Sequence, residues 1–170
     1  MREYLRTIAQ QTFSDADGKL RTLKLREGLE CPALDRLEQR LGVRLPNDYR
    51  EFFAATDGAD LFGEDVFQAY ELHLLDAAIL PIHAWGNGDF TCLRFDGGTF
   101  RDVVFMNHTP SVVVAIAPTF SDWLKRAVSE IARLGCLLHP MDYQHHDYPG
   151  GLYAHVLGAL RGVDCELNRE

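Results

Sequence analysis

Apolar residues recur along this chain with two different periods. Leu34, Leu37 and Leu41 fall three and four positions apart, with Asp35, Glu38, Gln39 and Arg40 mostly on the other faces, which predicts an amphipathic helix. Pro32 suits its first turn, where a missing N–H costs nothing, and Gly42 ends it. Leu45-Pro46 then breaks the chain, because a residue before proline is pushed out of helical geometry. A second short helix opens at Pro46 or Asn47, buries Tyr49, Phe52 and Phe53, and is expected to stop at Gly58. Upstream, Tyr4, Leu5, Ile8 and Ala9 have helical spacing, Ser14 to Gly18 is a turn signal, and Leu20 to Arg26 is a strand candidate. Residues 1–30 read as an N-terminal decoration.

Beyond Gly58 the period moves toward two. The segment from Asp57 to Asp65 reads as an exposed loop between helix and sheet, and Val66 to Leu74 is strand-like. Ile79 to Trp85 is a strand candidate whose Pro81 suggests an edge or a strand start. Gly86-Asn87-Gly88 is a tight turn, with Asp89 expected to bond turn N–H groups. Asp89 to Phe95, Val103 to His108 and Val112 to Ile116 continue a meander of mostly antiparallel strands. Thr119 and Asp122 then stand at capping-box spacing, Phe120, Leu124, Ala127, Val128, Ile131 and Leu134 keep helical spacing, and Gly135 stops the helix. A polar aromatic loop and a final helix over about Leu152 to Leu160 follow. Helices, then a meander, then helices means α+β: an antiparallel β-sheet meander with helices packed on one face, as a single domain over residues 1–170.

The order Leu37-Glu38, Leu41-Gly42, Leu45-Pro46, Tyr49-Arg50, Phe52-Phe53, Asp57-Gly58 resembles the SUKH superfamily, the Smi/Knr-type domain. Ile82 to Phe90 resembles that family's Gly-Asp hairpin, and Val112 to Ile116 with Thr119 to Leu124 its last strand and final helix. The resemblance covers roughly residues 32–134. It departs from the family at Ala59-Asp60-Leu61-Phe62, and residues 1–30 and 136–170, the second read as a C-terminal helical extension, match nothing in it. The resemblance implies an α+β fold and a protein partner. Many bacterial members are immunity proteins that neutralise toxins, often nucleases or nucleic-acid deaminases; fungal members bind signalling proteins. The family shares no catalytic residues, so none carries over.

Composition adds little: 46% hydrophobic and 25% charged residues suit a globular chain long enough to need no staple. The four cysteines are scattered with no CxxC pair, which argues for free thiols and a cytoplasmic location. No signal peptide or membrane span is expected. Charge changes the picture more. The net charge is −8, and no Lys or Arg occurs between Arg50 and Arg94. An acidic surface repels phosphate backbones and attracts a basic partner, so a protein partner is expected and nucleic acid is not. Asp57, Asp60, Phe62, Glu64 and Asp65 are the candidate partner-binding residues, with the carboxylates steering and the aromatic anchoring. The alternative for Phe62 and Phe67 is that they pin this segment to the core.

His139, Asp142, His145, His146 and Asp147 are all capable metal ligands, but their spacings match no established motif. Interleaved Tyr143, Tyr148 and Pro149 read as a loop packed on the body. Cys92 alternates with Phe90 and Arg94 and reads as core; Cys136 follows a helix stop and is expected to be buried too. No metal, cofactor or catalytic residue is expected. The function expected is an immunity protein that neutralises a basic, nucleic-acid-modifying toxin by stoichiometric binding. The alternative is a cytoplasmic scaffold or regulatory module.

Overall fold

The two helices of the motif form where their periodicity places them. In the computed structural model, which describes residues 1–109, 111–145 and 151–167, they are preceded by α1 (Arg2–Ile8) and the strands β1 (Thr12–Ser14) and β2 (Leu20–Leu25). α2 (Cys31–Leu41) carries Pro32 in its first turn and ends on Gly42 at φ +69°, a left-handed conformation that glycine adopts without steric cost. α3 (Asn47–Ala55) stops before Thr56, which is extended, and not at Gly58. Gly58, at φ +70°, instead turns the chain into the sheet, with Val66 and Gln68 too close to its Cα for any side chain.

The acidic segment expected as a loop is a hairpin. β3 (Ala59–Leu61) and β4 (Glu64–Val66) pair antiparallel through a two-residue turn. One favoured form of such a turn has positive φ at both central positions, as Phe62 and Gly63 do at 59° and 110°. Val66 ends the strand, so the expected strand over Val66 to Leu74 is corrected. Residues 67–78 form an irregular strap: the N–H groups of Phe67, Gln68 and Ala69 bond the Ile82 carbonyl and the Glu71 and Asp57 carboxylates, so no ladder continues.

β5 (Ile79–Ala84), β6 (Phe90–Asp96), β7 (Thr99–His108) and β8 (Ser111–Ala117) complete one eight-stranded antiparallel sheet in chain order. Pro81 therefore lies in an interior strand and not at an edge. The sheet tolerates it because β4 reaches β5 only at His83, past the irregularity between Pro81 and His83. α4 (Phe120–Leu134) is capped as its spacing predicts: Thr119 Oγ1 accepts the Asp122 N–H at 3.0 Å, and Gly135 closes it at φ +80°. A 3₁₀ turn (Pro140–His145) and α5 (Ala154–Leu167) follow, the last helix starting two residues later and running longer than expected.

Helices pack on one face of the sheet. Tyr49, Phe52, Phe53 and Phe120 meet between α3 and α4, with Tyr49 4.5 Å from Phe120 and 4.8 Å from Phe53 between ring centroids. Glu38 and Arg50 form an ion pair that ties α2 to α3, and Glu38 also accepts the Leu45 N–H at 2.8 Å across the Leu-Pro break. Leu5, Ile8 and Leu23 at one end of the chain and Leu152, Tyr153 and Val156 at the other belong to the same core. The first thirty residues are thus part of the sheet and core and not a decoration.

Candidate partner-binding surface

Four carboxylates and one aromatic were the candidates, and the hairpin separates them by role. Phe62 is 3% exposed and packs on Phe13 at 4.5 Å between centroids. It pins the β3–β4 turn to the core and offers no surface anchor. Asp60 forms an ion pair with Lys24 on β2 and accepts the Gly63 N–H, so it closes the hairpin turn. Glu64 lies 3.2 Å from Nε2 of the buried His83, reaching inward. Asp57 accepts the Ala69 N–H at 2.7 Å and so holds the strap. Only Asp65 projects freely, its side chain 74% exposed and 3.9 Å from Arg26.

The strap beside the hairpin carries what the hairpin lacks. Tyr70 is 73% exposed, the most exposed large hydrophobic residue described. It stands between two surface grooves of about 450 Å³ each. Leu29, Ala33 and Leu37 make one groove largely apolar, with Arg36 and Arg40 on its wall, while Arg26, Asp65, Phe67 and Glu71 help line the other. Arg40 fixes the strap from behind by donating to the carbonyls of Ala69 and Leu72. The Tyr70 hydroxyl accepts from Gln68 Nε2 at 3.2 Å. A rigid, amphipathic ring with its hydroxyl held costs little entropy to bury against a partner.

Charge is distributed in the same way. The hairpin acids Asp60 and Asp65 face Lys24 and Arg26 on β2. By contrast, Asp57, Glu71 and Asp76 accept from the backbone N–H groups of Ala69, Gln68 and Ala78, and none has an ion pair among the described residues. Hydrogen bonding to neutral donors leaves their negative charge in place. Asp57, Glu71 and Asp76 are therefore acids of this region outside any ion pair among the described residues, while Arg26, Arg36 and Arg40 line the grooves beside Tyr70.

The histidine cluster expected in the C-terminal loop divides differently. Side-chain placement of His145, and all of His146 and Asp147, lie outside the described residues, as do Tyr148 and Pro149. His139 reaches back to the sheet, where Nε2 lies 2.9 Å from Asp89. Asp89 is 2% exposed, and the expectation that it bonds turn N–H groups is corrected: its other oxygen takes the His108 backbone N–H at 2.8 Å and lies 2.6 Å from His108 Nδ1. Burial pushes the Asp89 carboxyl up, but the bonds from His108, His139 and Asn87 outweigh it and hold its pKa below the usual carboxylate value. A second carboxylate does similar work. Glu130, 1% exposed on α4, accepts from the Leu138 N–H, the Tyr143 hydroxyl and the Leu152 N–H at 3.1, 2.6 and 2.8 Å. Together they tie the C-terminal segment onto the sheet and α4. Cys92 is fully buried, which raises its thiol well above the ordinary range, whereas Cys136 is exposed, contrary to expectation, because the chain after Gly135 turns outward before Leu137.

The buried residues of α2, α3, the meander and the start of α4 coincide with a family pattern. The SMI1/KNR4 family model (SUKH-1) matches residues 28–126. The chain belongs to that family. The SUKH-1 match begins at Gly28, whose Cα lies so close to the Ala54 carbonyl that a side chain there would collide with it. It ends within α4, so Glu130 and Tyr153 lie beyond the SUKH-1 region. No curated protein matches the chain. No helix among the described residues is long and apolar enough to cross a membrane.

Proposed function

We propose that this SUKH-1 protein is a cytoplasmic, non-enzymatic immunity protein that binds a cognate bacterial toxin in a stoichiometric complex. The observation that carries the reading is the family match itself, since the superfamily includes toxin-immunity proteins. The surface supports it. The strap presents an exposed Tyr70 among carboxylates outside any ion pair among the described residues, within a stretch that holds no Lys or Arg from Glu51 to Leu93. Such a surface suits a basic toxin domain, whose own surface is built to hold nucleic acid. Acidic groups then speed association, and the aromatic anchor slows dissociation.

Sequence alone placed the contact at Asp57, Asp60, Phe62, Glu64 and Asp65. On this reading the contact keeps Asp65 and takes in Tyr70, Glu71 and Asp76, and the exposure of Asp65 and Tyr70 supports it. The test is growth of cells that express a toxin encoded beside this gene, with and without this protein. Rescue together with one-to-one co-purification is expected. Failure to rescue against every neighbouring toxin would leave a scaffold or regulatory module as the better reading.

A further inference from the structure

The two edges of the sheet are built differently. β1 is three residues long, and Gly135 at the end of α4 sits so close to the Ser14 carbonyl that a Cβ there would lie 2.5 Å from it. A short, covered edge resists pairing with another chain. β8 is seven residues long, Ser-Val-Val-Val-Ala-Ile-Ala, with no charge, proline or glycine. Among the described residues no strand pairs with its outer side. Long, uncharged, β-branched edges are templates for strand addition.

The direction of its backbone groups can be read from its neighbours. The Ala115 carbonyl accepts from His155 Nε2 at 2.7 Å, and so points away from β7. In an antiparallel ladder alternate residues point the same way, so the N–H and C=O of Val113 and Ser111 also face outward. The other side of the ladder agrees: His108, which pairs with Ser111, directs its N–H toward Asp89 on the β6 side. His155 marks where the open edge ends.

Side chains on this edge are apolar on both faces. Phe90, Met106 and Val113 form one cross-strand row on the face away from the helices, half-buried, half-buried and 39% exposed. Val112 and Val114 are half-buried on the helix side. We propose that β8 pairs with β8 of a second copy of this chain, antiparallel about a twofold axis at Val113. Two identical strands meet this way with Val113 opposite Val113 and each Val112 opposite the other copy's Val114, and the pairing stops there because α5 reaches Ala115 through His155. The row Phe90–Met106–Val113 then continues unbroken into its own copy. A second copy fits better than a basic partner because the strand carries no carboxylate to attract one. In a chain of net charge −8 it is also a place where like molecules meet without repulsion. The contact lies four strands away from β4 in the sheet, so it stands or falls independently of toxin binding.

Sedimentation equilibrium of the full chain tests it, from about 1 to about 200 μM because a small interface self-associates weakly. The weight-average mass should rise from 19.2 kDa toward twice that value with concentration. Val113→Lys places like charges on the axis. Val113→Pro removes only an N–H that points away from β7, so the internal ladder survives. Both variants should remain at 19.2 kDa across the range with unchanged circular dichroism. A wild-type mass that stays at 19.2 kDa at every concentration overturns the proposal, as do two folded variants that associate like the wild type.

Discussion

Around Tyr49 the contacts are rings on rings; around Glu130 they are hydrogen bonds onto one carboxylate. Tyr49 lies among Phe52, Phe53 and Phe120, and its buried hydroxyl has no partner among the described residues. Glu130, equally buried, gathers two backbone N–H groups and a phenol from the segment that follows α4. Nearby, the Tyr153 hydroxyl sits 2.9 Å from both Thr91 Oγ1 and Trp123 Nε1. The ring cluster around Tyr49 is held by shape and area, and the C-terminal closure by polar groups that must all be satisfied. The first kind of core accepts the loss of a polar atom. The second does not, because each donor left behind in a dry interior keeps its desolvation cost.

Glu130→Ala should show the largest effect. It removes the acceptor of the buried Leu138 and Leu152 N–H groups and of the Tyr143 hydroxyl, and is expected to lower stability by about 3 kcal/mol or more in urea denaturation. Hydrogen exchange should speed first at Leu138, Leu152 and Tyr153 while α3 stays protected. Equal loss of protection in α3 would mean that the two regions are not distinct.

Acid should act on the same closure with a smaller effect. The Asp89 pKa is lower in the folded chain than in the unfolded one, so ionised Asp89 favours folding. That contribution is complete above the unfolded carboxylate pKa of about 3.9 and is lost as pH falls through the lower folded value. Asp89→Asn should therefore flatten the acid limb of the stability curve. An acid limb identical in wild type and variant would remove Asp89 from the closure.

Tyr49→Phe should have the smallest effect and the opposite sign. Removing a hydroxyl that has no partner while keeping the ring is expected to leave stability unchanged or raise it by up to about 1 kcal/mol. A clear loss would show that the motif core, too, depends on a polar contact.

The same contrast explains what the sequence made legible. Spacing alone exposes Leu34, Leu37 and Leu41, and Gly42, Thr119 and Gly135 punctuate helices by rules that need no tertiary structure. The β3–β4 hairpin escaped because its strands have three residues each and its turn opens on Phe62, not on the Asn or Asp that usually announces positive φ. Phe62 tolerates that conformation because Phe13, from a distant strand, packs against it. Glu130 and Asp89 escaped for another reason. A carboxylate on a helix reads as solvated and one after a turn as a local backbone acceptor, and only the fold brings Tyr143 and Leu152 to Glu130 and His108 and His139 to Asp89. Tyr70 was hidden because exposure of an aromatic has no local signature; it becomes visible once Arg40 is seen to hold its strap in place.

The most direct test of a toxin-binding surface on the strap is calorimetric titration of a toxin domain encoded beside the gene into the wild type and into Tyr70→Ala. Tyr70 is too exposed for its loss to disturb the fold, so the comparison isolates binding. The wild type should bind one to one, and Tyr70→Ala should bind about 30-fold more weakly, as expected for a central aromatic anchor worth about 2 kcal/mol. The same affinity in both proteins, or no binding by the wild type to any neighbouring toxin, would contradict the account.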